Sequence, residues 1–173
     1  MSELDEAWAA VLSEAEHRAR RAGRGEVAEY LALRNSNDLL RKAGIDWLMT
    51  SFLNHAGHAN RNGAAIQMAH ADDHRFQVGN STMVGRLITF TNGVRKLFVE
   101  AGWPRVPRDG IVRGGGLAAA HIRHLGLRSA DDELLLSRSP AGSPQWTSVT
   151  KQRYQFLEIN IRRHLALLLD QPF

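Results

Sequence analysis

The sequence predicts an α+β fold: N-terminal helices, an antiparallel β-meander with an embedded short helix, and a C-terminal helix packed on the sheet. Three observations carry this. Apolar residues recur at spacings of three and four before residue 55 and again after residue 150. Between those stretches an Asn92-Gly93 pair is flanked by β-branched and aromatic residues. Such a pair makes a two-residue turn, and a turn that tight joins antiparallel strands, because parallel ones need a crossover of about a dozen residues.

Ser2 caps a first helix in which Leu4, Trp8, Val11, Leu12, Ala15 and Ala19 form a stripe, and Gly23 ends it. A second helix starts near Glu26 and is interrupted over 34–38. There Ser36 or Asn37 caps a third, with Leu40, Trp47, Leu48 and Phe52 on its stripe and Gly44 at a point where it can split. From His55 to Gly63 the density of Gly and Asn reads as a loop.

Beyond Ala64 the period becomes alternating, and Asp72-Asp73 is read as a turn between two short strands, since paired aspartates suit turns and not strands. Residues 86–99 form a hairpin around Asn92-Gly93, with Ile88 facing Leu97 and Phe90 facing Arg95. One face then carries Ile88, Phe90, Leu97 and Val99 with Arg86 and Arg95, and the other Leu87, Thr89, Lys96 and Phe98. A Pro-containing connector leads through Gly114, Gly115 and Gly116 into a short helix near 115–126. A strand follows at 133–137, and a closing helix over 150–170 carries Tyr154, Leu157, Ile161, Leu165 and Leu168 on one stripe. The chain is read as one domain, 1–173, mainly helical over 1–60 and mainly β over 64–149.

With no cysteine among 173 residues, disulfide frameworks, thiolate zinc sites, iron–sulfur ligation and cysteine nucleophiles are excluded. The acidic start matches no signal peptide, and no run approaches about 18 apolar residues, so the expected location is the cytoplasm, without a membrane partner. Charge is uneven: the net +4 divides into −3 over residues 1–74, +7 over 75–128 and zero over 129–173. Of the 22 Lys and Arg residues, 19 are arginine. That bias fits a GC-rich, bacterial-like composition, and arginine is also the side chain that grips phosphate and carboxylate through two parallel hydrogen bonds.

Three constellations could carry chemistry. A glycine run opening a helix exposes backbone N–H groups backed by the helix dipole, so Gly114, Gly115 and Gly116, with Arg105, Arg108 and Arg113 nearby, form a candidate anion site. The same glycines would also serve as a hinge or a close-packing point, and no Lys-Ser/Thr follows them, which excludes a nucleotide-hydrolysing P-loop. The second is a basic β surface of Arg75, Arg86, Arg95 and Lys96 interleaved with Phe76, Phe90, Phe98 and Trp103, a mixture able to hold phosphates and stack bases. The third is His70, Asp72 and His74, which share a face if their strand is continuous and could hold a divalent metal with help from His55 and His58. Glu100 is read as the structural partner of a nearby arginine, and His121 and His124 as surface neighbours on the short helix.

The leading expectation is a non-catalytic binding module, without a cofactor, that engages nucleic acid or another phosphate-bearing ligand through the basic hairpin and Gly-rich region. The alternatives are a metal-dependent hydrolase or nuclease using His70, Asp72 and His74, and a protein–protein adaptor or subunit of a larger complex.

Overall fold

The computed structural model describes residues 3–171, and among them seven strands pair in strict chain order, each antiparallel to the next. Helices α1 (Glu3–Arg21) and α2 (Gly25–Arg61) come first. Strands β1 (Gln67–Val78), β2 (Ser81–Asn92), β3 (Arg95–Trp103), β4 (Ala118–His124), β5 (Asp132–Arg138), β6 (Pro144–Ser148) and β7 (Tyr154–Gln155) follow, and α3 (Glu158–Leu169) closes the chain. The α+β class and the antiparallel meander are therefore as the sequence predicts. The chain divides into two compact units, 1–42 and 43–173, with α2 running through the division.

The first unit is α1, a turn at Ala22–Arg24 and the opening turns of α2. Leu12, Ala19, Ala28 and Leu40 are buried, and the Arg34 guanidinium lies 5.7 Å from the centre of the Trp8 ring. The expected cap at Ser2 lies outside the described residues. The break expected over 34–38 does not form. Asn, Ser and Asp each cost a helix interior less than about 0.7 kcal/mol, whereas nucleating a fresh helix is costly, so the helix continues and Arg41 pairs with Asp38 at 2.6 Å. For the same reason the loop expected over 55–63 is helix as far as Arg61.

In the second unit α2 and α3 pack on one face of the sheet. Leu48, Met49 and Phe52 of α2 and Ile161, Leu165 and Leu168 of α3 meet Ile88, Phe90, Leu97, Val99, Ile122 and Leu136. Gly44 does not split the helix. A Cβ there would lie 2.6 Å from Leu136 Cδ1, so glycine is what lets α2 approach β5, and the Gly44 carbonyl accepts a 2.8 Å hydrogen bond from Trp146 Nε1.

The β2–β3 hairpin forms with its turn one step further on. Asn92 faces Arg95, Phe90 faces Leu97 and Ile88 faces Val99, which leaves Gly93-Val94 as the central pair with Gly93 at φ +58°. Glycine at the first central position is the type II′ arrangement. Each residue's partner moves by two positions, and because strand side chains alternate with period two, every residue keeps the face assigned to it.

The turn expected at Asp72-Asp73 is instead a bulge within one continuous strand. Ala71 faces Leu87 while His74 faces Gly85, so β1 has one extra residue here, and Asp73 takes φ +54°. The helix expected near 115–126 is strand β4, hydrogen-bonded to β3 on one side and β5 on the other. Its Leu-Ala-Ala-Ala run favours helix locally, but Ala118, Ala119, Ala120 and Ile122 are all buried in mid-sheet, and burial outweighs propensity. The closing helix begins at Glu158, because residues 144–155 supply β6 and the short edge strand β7.

Candidate anion-binding face

Alternation and register define the face of the sheet turned away from the core cluster, and within this unit no described helix covers it. It carries Leu87 and Thr89 of β2, Lys96, Phe98 and Glu100 of β3, and His121 and Arg123 of β4. Thr89 faces Phe98, Phe98 faces Arg123, and Glu100 faces His121. Phe98 is half-buried, while Lys96 and Arg123 are exposed.

Glu100 is the hub of this face. His74 stands opposite Gly85, which has no side chain to block it, so its ring spans β2 and brings Nε2 within 2.7 Å of Glu100 Oε2. His121 Nδ1 lies 3.1 Å from Glu100 Oε1, and Arg123 donates to the same oxygen. Phe76 backs both histidines, stacked on His74 and edge-on to His121. Burial by itself raises the Glu100 pKa, but the hydrogen bonds from His121 and His74 and the Arg123 charge outweigh it and hold the carboxyl below its ordinary value. The group is an anion already satisfied by its neighbours, which leaves the outward side of Arg123 facing solvent.

The connector between β3 and β4 covers one end of this face, where Val112 packs against Phe76, Met83 and Ala119. Asp109 is buried and accepts hydrogen bonds from the Arg105 and Val106 amides and, at 3.0 Å, from Arg75. Ser81 bonds both the amide and the carbonyl of Ile111. On this braced loop the Arg105 guanidinium sits 3.5 Å from the centre of the Trp103 ring, Arg108 is exposed, and Arg113 lies against Gly79 in the β1–β2 turn. Gly114 and Gly115 both have φ +72°, and a Cβ at Gly116 would lie 2.2 Å from Leu135. The glycines therefore make a turn and a close approach. They lead into a strand, so the helix dipole on which their anion site depended is missing.

The structure brings together only part of the expected basic surface. Lys96, Arg105, Arg108 and Arg113 lie on the open face or its connector. Arg86 instead pairs with Asp46 of α2, and Arg95 pairs with Asp170 at 2.9 Å. Of the aromatics, Phe90 is core and Phe76 is buried beneath the connector with Met83 and Ala119.

No family model, curated protein or solved structure matches the chain. No helix among the described residues is long and apolar enough to cross a membrane.

The His70, Asp72 and His74 constellation is taken apart by the bulge. His70 is in register with Ile88, on the core side, while His74 is in register with Gly85 on the opposite side and bonds Glu100. Among the described residues no three His, Asp or Glu side chains gather as a metal would require. His55 and His58 lie on α2 instead of a loop. His121 and His124 are not surface neighbours, since on a strand residues three apart point to opposite faces.

Sequence reasoning missed a second network, on the core side. His124 Nε2 lies 2.9 Å from His164 Nδ1, and His164 Nε2 lies 3.2 Å from Asp132 Oδ2. Asp132 also accepts from Tyr154 at 2.6 Å and Ser148 at 2.7 Å. Burial raises the Asp132 pKa, yet the hydrogen bonds from His164, Tyr154 and Ser148 bring it down to about 2, while burial and the Asp132 bond push Tyr154 up to about 12. Only the Asp131-Asp132 pair ahead of a leucine run hinted at it, since the histidines are 40 residues apart.

Proposed function

We propose that the protein is a non-catalytic module that binds single-stranded nucleic acid on the helix-free face of its sheet. The observation that supports this is the placement of half-buried Phe98 between Thr89 and Arg123, with Lys96 beside it. Bases stack on an exposed aromatic ring while neighbouring cations hold the phosphates. Arg105, Arg108 and Arg113 on the connector extend the cationic surface. Arg86 and Arg95 are left out of the reading because they lie on the opposite, helix-packed side of the sheet, paired with Asp46 and Asp170.

Fluorescence anisotropy with a labelled oligonucleotide of about 12 residues tests it. Affinity is expected to fall steeply between about 50 and 200 mM salt, and the combined Lys96→Ala, Arg108→Ala and Arg113→Ala variant flattens that slope. Phe98→Ala weakens binding at every salt concentration. Absence of binding at about 50 mM salt, or a Kd indifferent to ionic strength, overturns the proposal.

One observation favours a second reading, as a subunit of a larger assembly. Residues 1–42 expose Trp8, Val11, Val27, Tyr30, Leu33 and Leu39, a large apolar share for so short a stretch. Light scattering on the chain alone and with candidate partners separates this reading from the first.

A further inference from the structure

A groove of about 790 Å³ lies between the end of α2, the turn that follows it and α3, on the side of the second unit that carries the helices. Its less exposed lining is apolar, with Ala59, Leu165, Ala166 and Leu169. Its polar lining includes Arg61, Arg162, His55 and His58, and among the described residues no acidic side chain lines it. Neither arginine forms an ion pair with an acid among the described residues, and His55 lies 3.6 Å from Glu158. The wall formed by the turn is fixed in advance. The Asn60 side chain donates to the Ile66 carbonyl at 2.8 Å and accepts from the Ile66 amide at 2.7 Å, anchoring the chain at a buried isoleucine as it leaves α2.

Concave sites of about 300–1,000 Å³ that pair an apolar lining with a few polar groups are the usual form of small-molecule sites. Cations around an apolar floor select a particular chemistry. A bare inorganic anion would leave the floor unused, and a neutral hydrocarbon would leave the arginines unused. We infer that this groove binds a small amphiphilic carboxylate, an alkyl chain ending in one anionic group, with the chain against Leu165 and Leu169 and the carboxylate held by Arg61 and Arg162. This site is independent of the nucleic-acid reading, and either can fail alone.

Titration of the full chain with sodium octanoate, followed by calorimetry and by methyl NMR shifts, tests the assignment. One saturable site per chain is expected, with shifts concentrated at Leu165 and Leu169. Octanoate is expected to bind at least about tenfold more tightly than 1-octanol, because only the acid engages the arginines. The combined Arg61→Gln and Arg162→Gln variant, altered only at exposed positions, should lose about tenfold or more in octanoate affinity and keep its weak response to octanol. Ala166→Phe fills the groove and should abolish both, with the melting temperature recorded alongside. The inference is overturned if octanoate shows no saturation up to about 10 mM, if octanol binds equally well, or if the double glutamine variant binds octanoate as the natural chain does.

Discussion

His124 Nε2 lies 2.9 Å from His164 Nδ1, and only one of these two nitrogens can carry the shared proton. The ionised Asp132 can only accept, so His164 donates to it through Nε2. Burial first, and the neighbouring His164 second, depress the His124 pKa to about 4.

Stability should accordingly decline as pH falls from about 6.5 towards 4. In that window the unfolded chain binds a proton that the native His124 refuses, so the contribution is complete above about pH 6.5 and is lost as the folded pKa is approached, to a total of order 3 kcal/mol. Urea unfolding at pH 7, 6, 5 and 4 measures it. His124→Gln should flatten the curve, and an equally steep curve in that variant would remove the explanation.

Glu100→Ala leaves His74, His121 and Arg123 facing an empty site. A cost of about 2–4 kcal/mol is expected, with Glu100→Gln milder because it keeps an acceptor. The folded carboxyl titrates below its reference value of 4.5, so it stabilises above that pH and its contribution is lost as pH falls through the lower folded value. The alanine variant should therefore show a shallower acid limb as well as a lower midpoint at pH 7.

Gly44→Ala places a methyl group 2.6 Å from Leu136 Cδ1. The better helix propensity of alanine returns about 1 kcal/mol, while overpacking costs about 1–3 kcal/mol, so net destabilisation is expected. Trimming the partner in a Gly44→Ala, Leu136→Ala pair should relieve the clash. A double-mutant cycle with a coupling energy near zero would show that the two residues do not compete for space.

Asp109→Ala removes the acceptor of the Arg105 and Val106 amides and of Arg75. Amide exchange over 105–111 should accelerate about tenfold or more while β2 and β3 keep their protection, since the connector is fastened mainly through this carboxylate and Ser81. Unchanged exchange would mean the loop is held some other way.

The features readable from sequence were those fixed by period and by local turn chemistry. Alternation around Gly93 placed Ile88, Phe90, Leu97 and Val99 on one face and Lys96 and Phe98 on the other, and this survived a change of register because the change was even. Helical spacing located α1, the start of the helical stretch that follows it, and the stripe of α3. Glu100 was legible as a paired acid, since it is one of only two carboxylates among nine basic residues over 75–128.

What tertiary structure alone decided was wherever a local preference met a larger energy. The Ala118–His124 run became a strand because both its edges are hydrogen-bonded, to β3 and β5, and its alanines and Ile122 are buried in mid-sheet. The bulge at Asp72-Asp73 turned His74 towards Glu100 and away from His70, a one-residue difference that no composition or spacing reveals. The contacts of Arg86 with Asp46 and of His124 with His164 each span 40 residues of chain, and only the folded sheet makes those residues neighbours.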